Sequence, residues 1–202
     1  MVKAVPVAAL IAPYAAWMAL MMLLPSTVTG YAVRTAVTAV LLVLVPPFRG
    51  ETFAACARRF ASARCLVSGI LVGSAVFAIW ILPEQFDWAW YRRFCIHGEG
   101  GTEAVAESNA VLLAVRLAGS AFVIAVAEEL FFRKWLIGFA GFWWMVALFA
   151  IEHDRWLVGA VAGVIYGLLY LRRGLATAIV AHVTTNLVLG LWVLATGQWR
   201  FW

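Results

Sequence analysis

Ala127-Glu128-Glu129-Leu130-Phe131-Phe132-Arg133-Lys134 sets two adjacent carboxylates and two cations inside an otherwise apolar tract. Upstream, Leu112 to Val126 carries only Arg116 as a charge; downstream, Trp135 to Ile151 carries none. A carboxylate in hydrocarbon costs roughly 2.5–3.5 kcal/mol on insertion scales, so it persists only where it faces a protein interior or a wet cavity with a partner. Glu129 and Arg133 stand four residues apart, which puts them on one helical face in position to pair. Glu128 is rotated about 100° from Glu129 and is left to face something else. The stretch reads either as a helix end whose charges snorkel at the surface or as a site inside the bilayer.

The whole chain supports the second setting. Of its 202 residues only 12% are charged, about half the share of a soluble domain. Mean hydropathy is +0.95. This is an integral membrane protein with an all-α fold, long enough for about seven spans in one bundle and for little else. A single domain is expected over 1–202, with 1–107 forming N-terminal helices and an outer loop and 108–195 the catalytic helix core. The net charge of +5 gathers at span ends, which marks topology and not a nucleic-acid footprint. Met1 to Leu24 has a Lys and an apolar run like a signal peptide, but no A-x-A site follows, so it is read as a retained first helix. Spans are expected over Val5–Leu24, Tyr31–Val45, Leu66–Leu82, Ser108–Gly138, Phe142–His153, Trp156–Leu171 and Leu175–Ala195, with Ser108 as an N-cap. Arg49, Arg58, Arg59 and Arg64, with Arg172-Arg173, place two turns in the cytoplasm, which gives N-terminus in and C-terminus out. Pro83 to Glu107 lies outside, with Phe86–Phe94 an amphipathic interfacial helix and His97 solvated in a Gly-rich loop. Cys56, Cys65 and Cys95 have no metal spacing and read as small apolar fillers.

Two further pairs share the four-residue spacing: Phe149 with His153, and His182 with Asn186. Counted from the turns at Gly138–Gly141 and Gly174, Glu128, His153 and His182 all sit roughly 12–17 Å from the cytoplasmic face. Three helices bringing polar groups to one level imply a shared intramembrane polar cavity, expected to open to the cytoplasm. Two carboxylates, two imidazoles, an amide and a guanidinium can activate water and stabilise an oxyanion. There is no G-x-S-x-G and no H-E-x-x-H. A metal is the competing account, with Glu128, His153 and His182 as ligands to a divalent ion such as zinc. Arg133 beside the carboxylates opposes it, so no cofactor is expected.

The order Glu128-Glu129-x-x-x-Arg133, Phe149-x-x-x-His153, His182-x-x-x-Asn186 resembles the CPBP family, the type II CAAX prenyl endopeptidases and their bacterial relatives, also called ABI proteins. Leu130-Phe-Phe-Arg133 matches the family's aromatic before the Arg, and the similarity covers roughly Ala118 to Leu191. The ending from Asn186 through Gln198-Trp-Arg-Phe-Trp202 resembles the CAAX-protease-related proteins found with exosortase (PEP-CTERM) sorting systems. The resemblance implies an intramembrane endopeptidase of a bacterial inner membrane, acting on a membrane-embedded or lipid-anchored, CAAX-like substrate. It implies Glu128 and His153 as water activators and His182 with Asn186 as the oxyanion site. Glu129, Arg133 and Phe149 would support them, the first two as an ion pair and Phe149 by packing. A non-catalytic membrane partner (immunity or scaffold protein) on the same fold, or an ion or proton transporter, are the other readings. Intact Glu128, His153, His182 and Asn186 argue against the former, and the lack of inverted repeats against the latter. Glu152-His153-Asp154-Arg155 departs from the expectation of a purely apolar surrounding. Either this charge around the His tunes His153 as a partner carboxylate would, or this segment surfaces and the site is shallower.

Overall fold

A computed structural model describes residues 6–25, 27–44, 58–60, 62–97 and 110–201. The expected cap at Ser108, most of the arginine-rich loop and Cys56 fall outside the described residues.

Apolar sequence becomes helix almost throughout: α1 (Val7–Leu23), α2 (Val28–Leu44), α3 (Ala63–Gln85), α4 (Ala89–Cys95), α5 (Ala110–Ala140), α6 (Phe142–Ile151), α7 (Trp156–Arg173) and α8 (Leu175–Thr196), then a 3₁₀ turn at Trp199–Phe201. Four of them, α3, α5, α7 and α8, are long and apolar enough to cross a membrane; α1, α2 and α6 are shorter apolar helices. Among the described residues there are thus seven apolar helices, four of them long enough to span, and α6 has only 10 residues, about 15 Å of rise or half a bilayer core. The interfacial helix is also shorter than expected, Ala89–Cys95, with Tyr91 and Cys95 inward. Cys65 and Cys95 are free and buried, as expected of apolar fillers.

Small residues set the closest approaches, as membrane helix packing demands. A Cβ added to Gly73 of α3 would meet the Ala181 carbonyl of α8 at 2.3 Å. Gly159, Gly163 and Gly167 form a ridge on α7 against which α6 lies, facing His153, Phe149 and Phe142 in turn. Gly141 and Gly174, at φ 92° and 85°, make the turns into α6 and α8. The core gathers Tyr14 and Trp17 of α1, Val76 of α3, Phe132 and Leu136 of α5, Met145 and Phe149 of α6, and Tyr166 of α7.

α6 stops at Ile151, and residues 152–155 form a non-helical link to α7. Three contacts fix this link. The His97 N–H donates to the Asp154 carbonyl at 2.8 Å, Trp156 Nε1 donates to the Phe94 carbonyl at 2.9 Å, and Arg155 pairs with Glu84 at the end of α3. Arg200 also reaches Glu84, at 3.1 Å. The link therefore lies at the bundle end that carries α4 and the C-terminal turn, opposite Arg172-Arg173 at the end of α7.

Candidate active site

α5 does not run as a regular α-helix through the decisive stretch. It is π-helical over Gly119–Ile124 and again over Glu129–Leu136. The wider turn is a common feature of functional sites. The adjacent carboxylates, expected to face different ways, straddle one imidazole. Glu128 Oε2 lies 3.5 Å from His182 Nε2, and Glu129 Oε1 lies 2.9 Å from His182 Nδ1. Glu129 Oε1 is also 3.2 Å from Arg133 Nη1, and both side chains are fully buried.

Arg133 is enclosed mainly by ring faces: its guanidinium carbon lies 4.0 Å from the Phe149 ring centroid and 5.4 Å from that of Tyr166. Guanidinium over an aromatic face is attractive, by about 2 kcal/mol or more when desolvated. Tyr166 in turn stacks on His182 at 4.9 Å, and its hydroxyl donates to Thr185. Glu129, Arg133, Phe149 and Tyr166 thus form a floor that holds His182 in plane.

The hydrogen-bond partners assign the imidazole protons. His153 Nδ1 is 2.7 Å from the Phe149 carbonyl. A carbonyl only accepts, so Nδ1 carries the hydrogen and the neutral ring presents a bare Nε2. By the same logic His182 Nδ1–H donates to the Glu129 carboxylate. Asn186 Nδ2 donates to the Ser120 carbonyl at 2.9 Å, in the first π-helical segment of α5.

His153, Asn186 and Ser120 line a cavity of about 400 Å³ with Trp80, Glu152, Asp154, Arg155, Arg200 and Phe201. Its mouth lies at the end that carries α4 and the C-terminal turn, where Asp154 is exposed. This cavity lies at the end opposite Arg172 and Arg173. A separate cavity of about 560 Å³ at the arginine end is lined by Arg59, Arg64, Arg172 and Arg173, and none of the site residues reaches it. α6 ends at Ile151, and the link that follows, with His153, is tied to α3, α4 and the C-terminal turn.

Two residues the motif did not single out belong to the site. Glu152 brings a carboxylate oxygen into a group with Glu128 and His153 whose donor atoms lie within 4.8 Å of one another. Tyr14, on α1, donates its hydroxyl to Glu152. A divalent cation would find its ligands in that group, with Glu152 taking the place expected for His182, whose Nδ1 is committed to Glu129. The charged run around His153 thus separates: Glu152 turns in, Asp154 faces out and Arg155 is neutralised by Glu84. Glu152 was visible in the sequence as one of two acids flanking His153, with nothing to set it apart from Asp154; Tyr14 left no such signal.

No curated protein and no solved structure matches the chain. Residues 109–188, which carry Glu128, Glu152, His153, His182 and Asn186, match the family model for the type II CAAX prenyl endopeptidase, Rce1-like, and this match supports the CPBP family of membrane proteases for the segment that builds the site.

Proposed function

We propose that this protein is an intramembrane endopeptidase that hydrolyses a peptide bond of a membrane-embedded or lipid-anchored substrate, CAAX-like in its tethering, with a water activated by Glu128 and His153. The observation that carries this reading is that Glu128 of α5 touches His182 of α8 and groups with His153 of the α6–α7 link, while His153 and Asn186 line one cavity. Glu128 takes a proton from the water as it adds to the substrate carbonyl, while the bare Nε2 of His153 accepts the water's other hydrogen and aims it. The oxyanion is met by Asn186, whose amide has a second N–H beyond the one given to Ser120, and by His182. His182 donates to it only through a protonated Nε2, because Nδ1–H is given to Glu129, and Glu129 stabilises that imidazolium. Arg133 pairs with Glu129 in the apolar floor.

No metal enters this scheme; the convergence of Glu128, Glu152 and His153 makes chelation the test of that point. With the arginine-rich turns in the cytoplasm of a bacterial inner membrane, the N-terminus is inside, the C-terminus outside and the cavity mouth faces outward. Cleavage from that face suits a substrate handled by an exosortase-type sorting system, as the C-terminal sequence implies. The test is a quenched lipidated peptide and membrane proteins from the same source, incubated with purified wild type and Glu128→Ala. Cleavage lost in the variant and kept under chelator is the expected result. An unchanged rate in Glu128→Ala overturns the site, and cleavage restored only by zinc overturns the metal-free water.

A further inference from the structure

A base that activates water is half of amide hydrolysis; the departing nitrogen also needs a proton, because an amide anion is far too basic to leave. Glu128, protonated by the water, is one donor; a neighbouring carboxyl that faces the cavity is a second. Glu128 receives the water's proton, His153 Nδ1–H is held by Phe149, and His182 and Asn186 face the oxyanion.

Glu152 has the right position. Its N–H still bonds to the Leu148 carbonyl, at 3.3 Å, so the last turn of α6 fixes its backbone while its side chain enters the cavity. One carboxylate oxygen accepts from Tyr14. The other, Oε1, is buried without a hydrogen-bond partner and sits 3.7 Å from His153 Nδ1, too far for a bond. Two carboxylates whose oxygens approach this closely out of water repel, and one proton held between them relieves the repulsion. Tyr14 is itself locked: its ring packs on Phe131 at 4.5 Å and Phe132 at 5.2 Å, residues of the same helix that carries Glu128. The hydroxyl therefore holds Glu152 at a fixed place relative to Glu128.

We infer that Glu152 is a second catalytic carboxylate, the general acid that protonates the leaving amine, and that Tyr14 positions it. The inference rests on the peptidase reading above. In the step, hydroxide oxygen bonds to the carbonyl carbon as Glu128 takes the water's proton. The tetrahedral intermediate then collapses, its oxyanion re-forming the carbonyl, the C–N bond breaking and the electron pair on nitrogen taking the proton of Glu152. The products are a carboxylic acid and an amine. Passage of the proton from Glu128 to Glu152, across a gap within 4.8 Å, restores both.

The experiment uses the full-length protein in detergent with two quenched peptides of one sequence, the cleaved amide in the first replaced by a thioester in the second. A thiolate leaves without a proton, so it needs no acid. Glu152→Gln, the neutral isostere, is expected to lose about 10²–10⁴-fold on the amide, the usual size of general acid catalysis. On the thioester it should lose less than about tenfold. Tyr14→Phe should show the same split at smaller amplitude. Equal loss on both substrates in Glu152→Gln makes Glu152 structural and overturns the assignment, as does equal retention. Loss of both activities on chelation, restored by zinc, makes Glu152 a metal ligand and overturns it too. Glu128→Gln separates this from the parent reading. If the wild type shows no Glu128-dependent cleavage of the amide, the peptidase itself falls and the assignment with it; if Glu128→Gln loses both substrates while Glu152→Gln keeps both, only the assignment falls.

Discussion

Arg133→Met removes the cation from the floor of the site and leaves its length in place. The magnitude follows from the surroundings. Glu129 and Arg133 are both fully buried at 3.2 Å, so solvent screens neither charge. Breaking a buried pair by deleting one partner costs about 3–5 kcal/mol, chiefly because the other charge is stranded. Here Glu129 keeps one partner, His182 at 2.9 Å, which pulls the figure toward the lower end. Loss of the guanidinium from over Phe149, at 4.0 Å, pushes it back up by about 2 kcal/mol. A loss of about 3–5 kcal/mol is therefore expected. The double variant Glu129→Gln/Arg133→Met removes both charges and should recover most of it, because exchanging a buried pair for neutral groups of similar volume is often close to neutral. SDS titration in mixed micelles, followed by the fluorescence of the 11 tryptophans, measures each arm of the cycle. A single-variant loss under about 1 kcal/mol, or a double variant weaker than the single, refutes the argument that a buried charge is being stranded.

Three other outcomes follow from local geometry. Gly73→Ala drives a methyl against the Ala181 carbonyl at 2.3 Å, so it should cost about 1–3 kcal/mol by prising α3 from α8; an unchanged SDS midpoint would refute that packing. Burial pushes the Cys95 thiol up, which leaves little thiolate at neutral pH; maleimide should modify it slowly in the folded protein, faster as pH rises, and at once in SDS, as read by mass shift. In a cysteine-free background, an impermeant maleimide should label Asp154→Cys from outside the cell and Arg173→Cys only after lysis; the reverse pattern would turn the cavity mouth to the cytoplasm.

The fold was legible because membrane helices declare themselves by length and hydropathy, and because Gly141 and Gly174 mark turns that need positive φ. Less legible was how far each helix runs. Periodicity gives no reason for α6 to stop at Ile151; the cause is tertiary, since His97, Trp156 and Arg155 anchor the next four residues to other elements. That shortfall places His153 in a link rather than in a helix. A glycine ridge at four-residue spacing, Gly159, Gly163 and Gly167, was the available sign that α6 and α7 lie flush. The motif residues were legible as a set by their spacing on apolar helices. Their pairings were not. A regular helix separates Glu128 from Glu129 by about 100°, yet both reach His182, one to each ring nitrogen. The contact of Tyr14 with Glu152 spans 138 residues and has no sequence signature.

The arrangement divides the charged groups by what they can exchange with. Glu129 and Arg133 have no exposed surface and no route to the cavity, so their charges are fixed partners whose effect reaches the chemistry only through His182. Glu152, His153 and Asn186 line the cavity, where water and a peptide can reach them. Glu128 stands between, touching His182 on the dry side and grouped with Glu152 and His153 on the wet side. That position is why the two adjacent glutamates are not equivalent. Moving a proton onto Glu128 changes the field at both His182 and Glu152, whereas moving one onto Glu129 would break its pairing with Arg133 in the apolar floor. A π-helical turn that begins between the two residues is the local means by which one helix serves both roles.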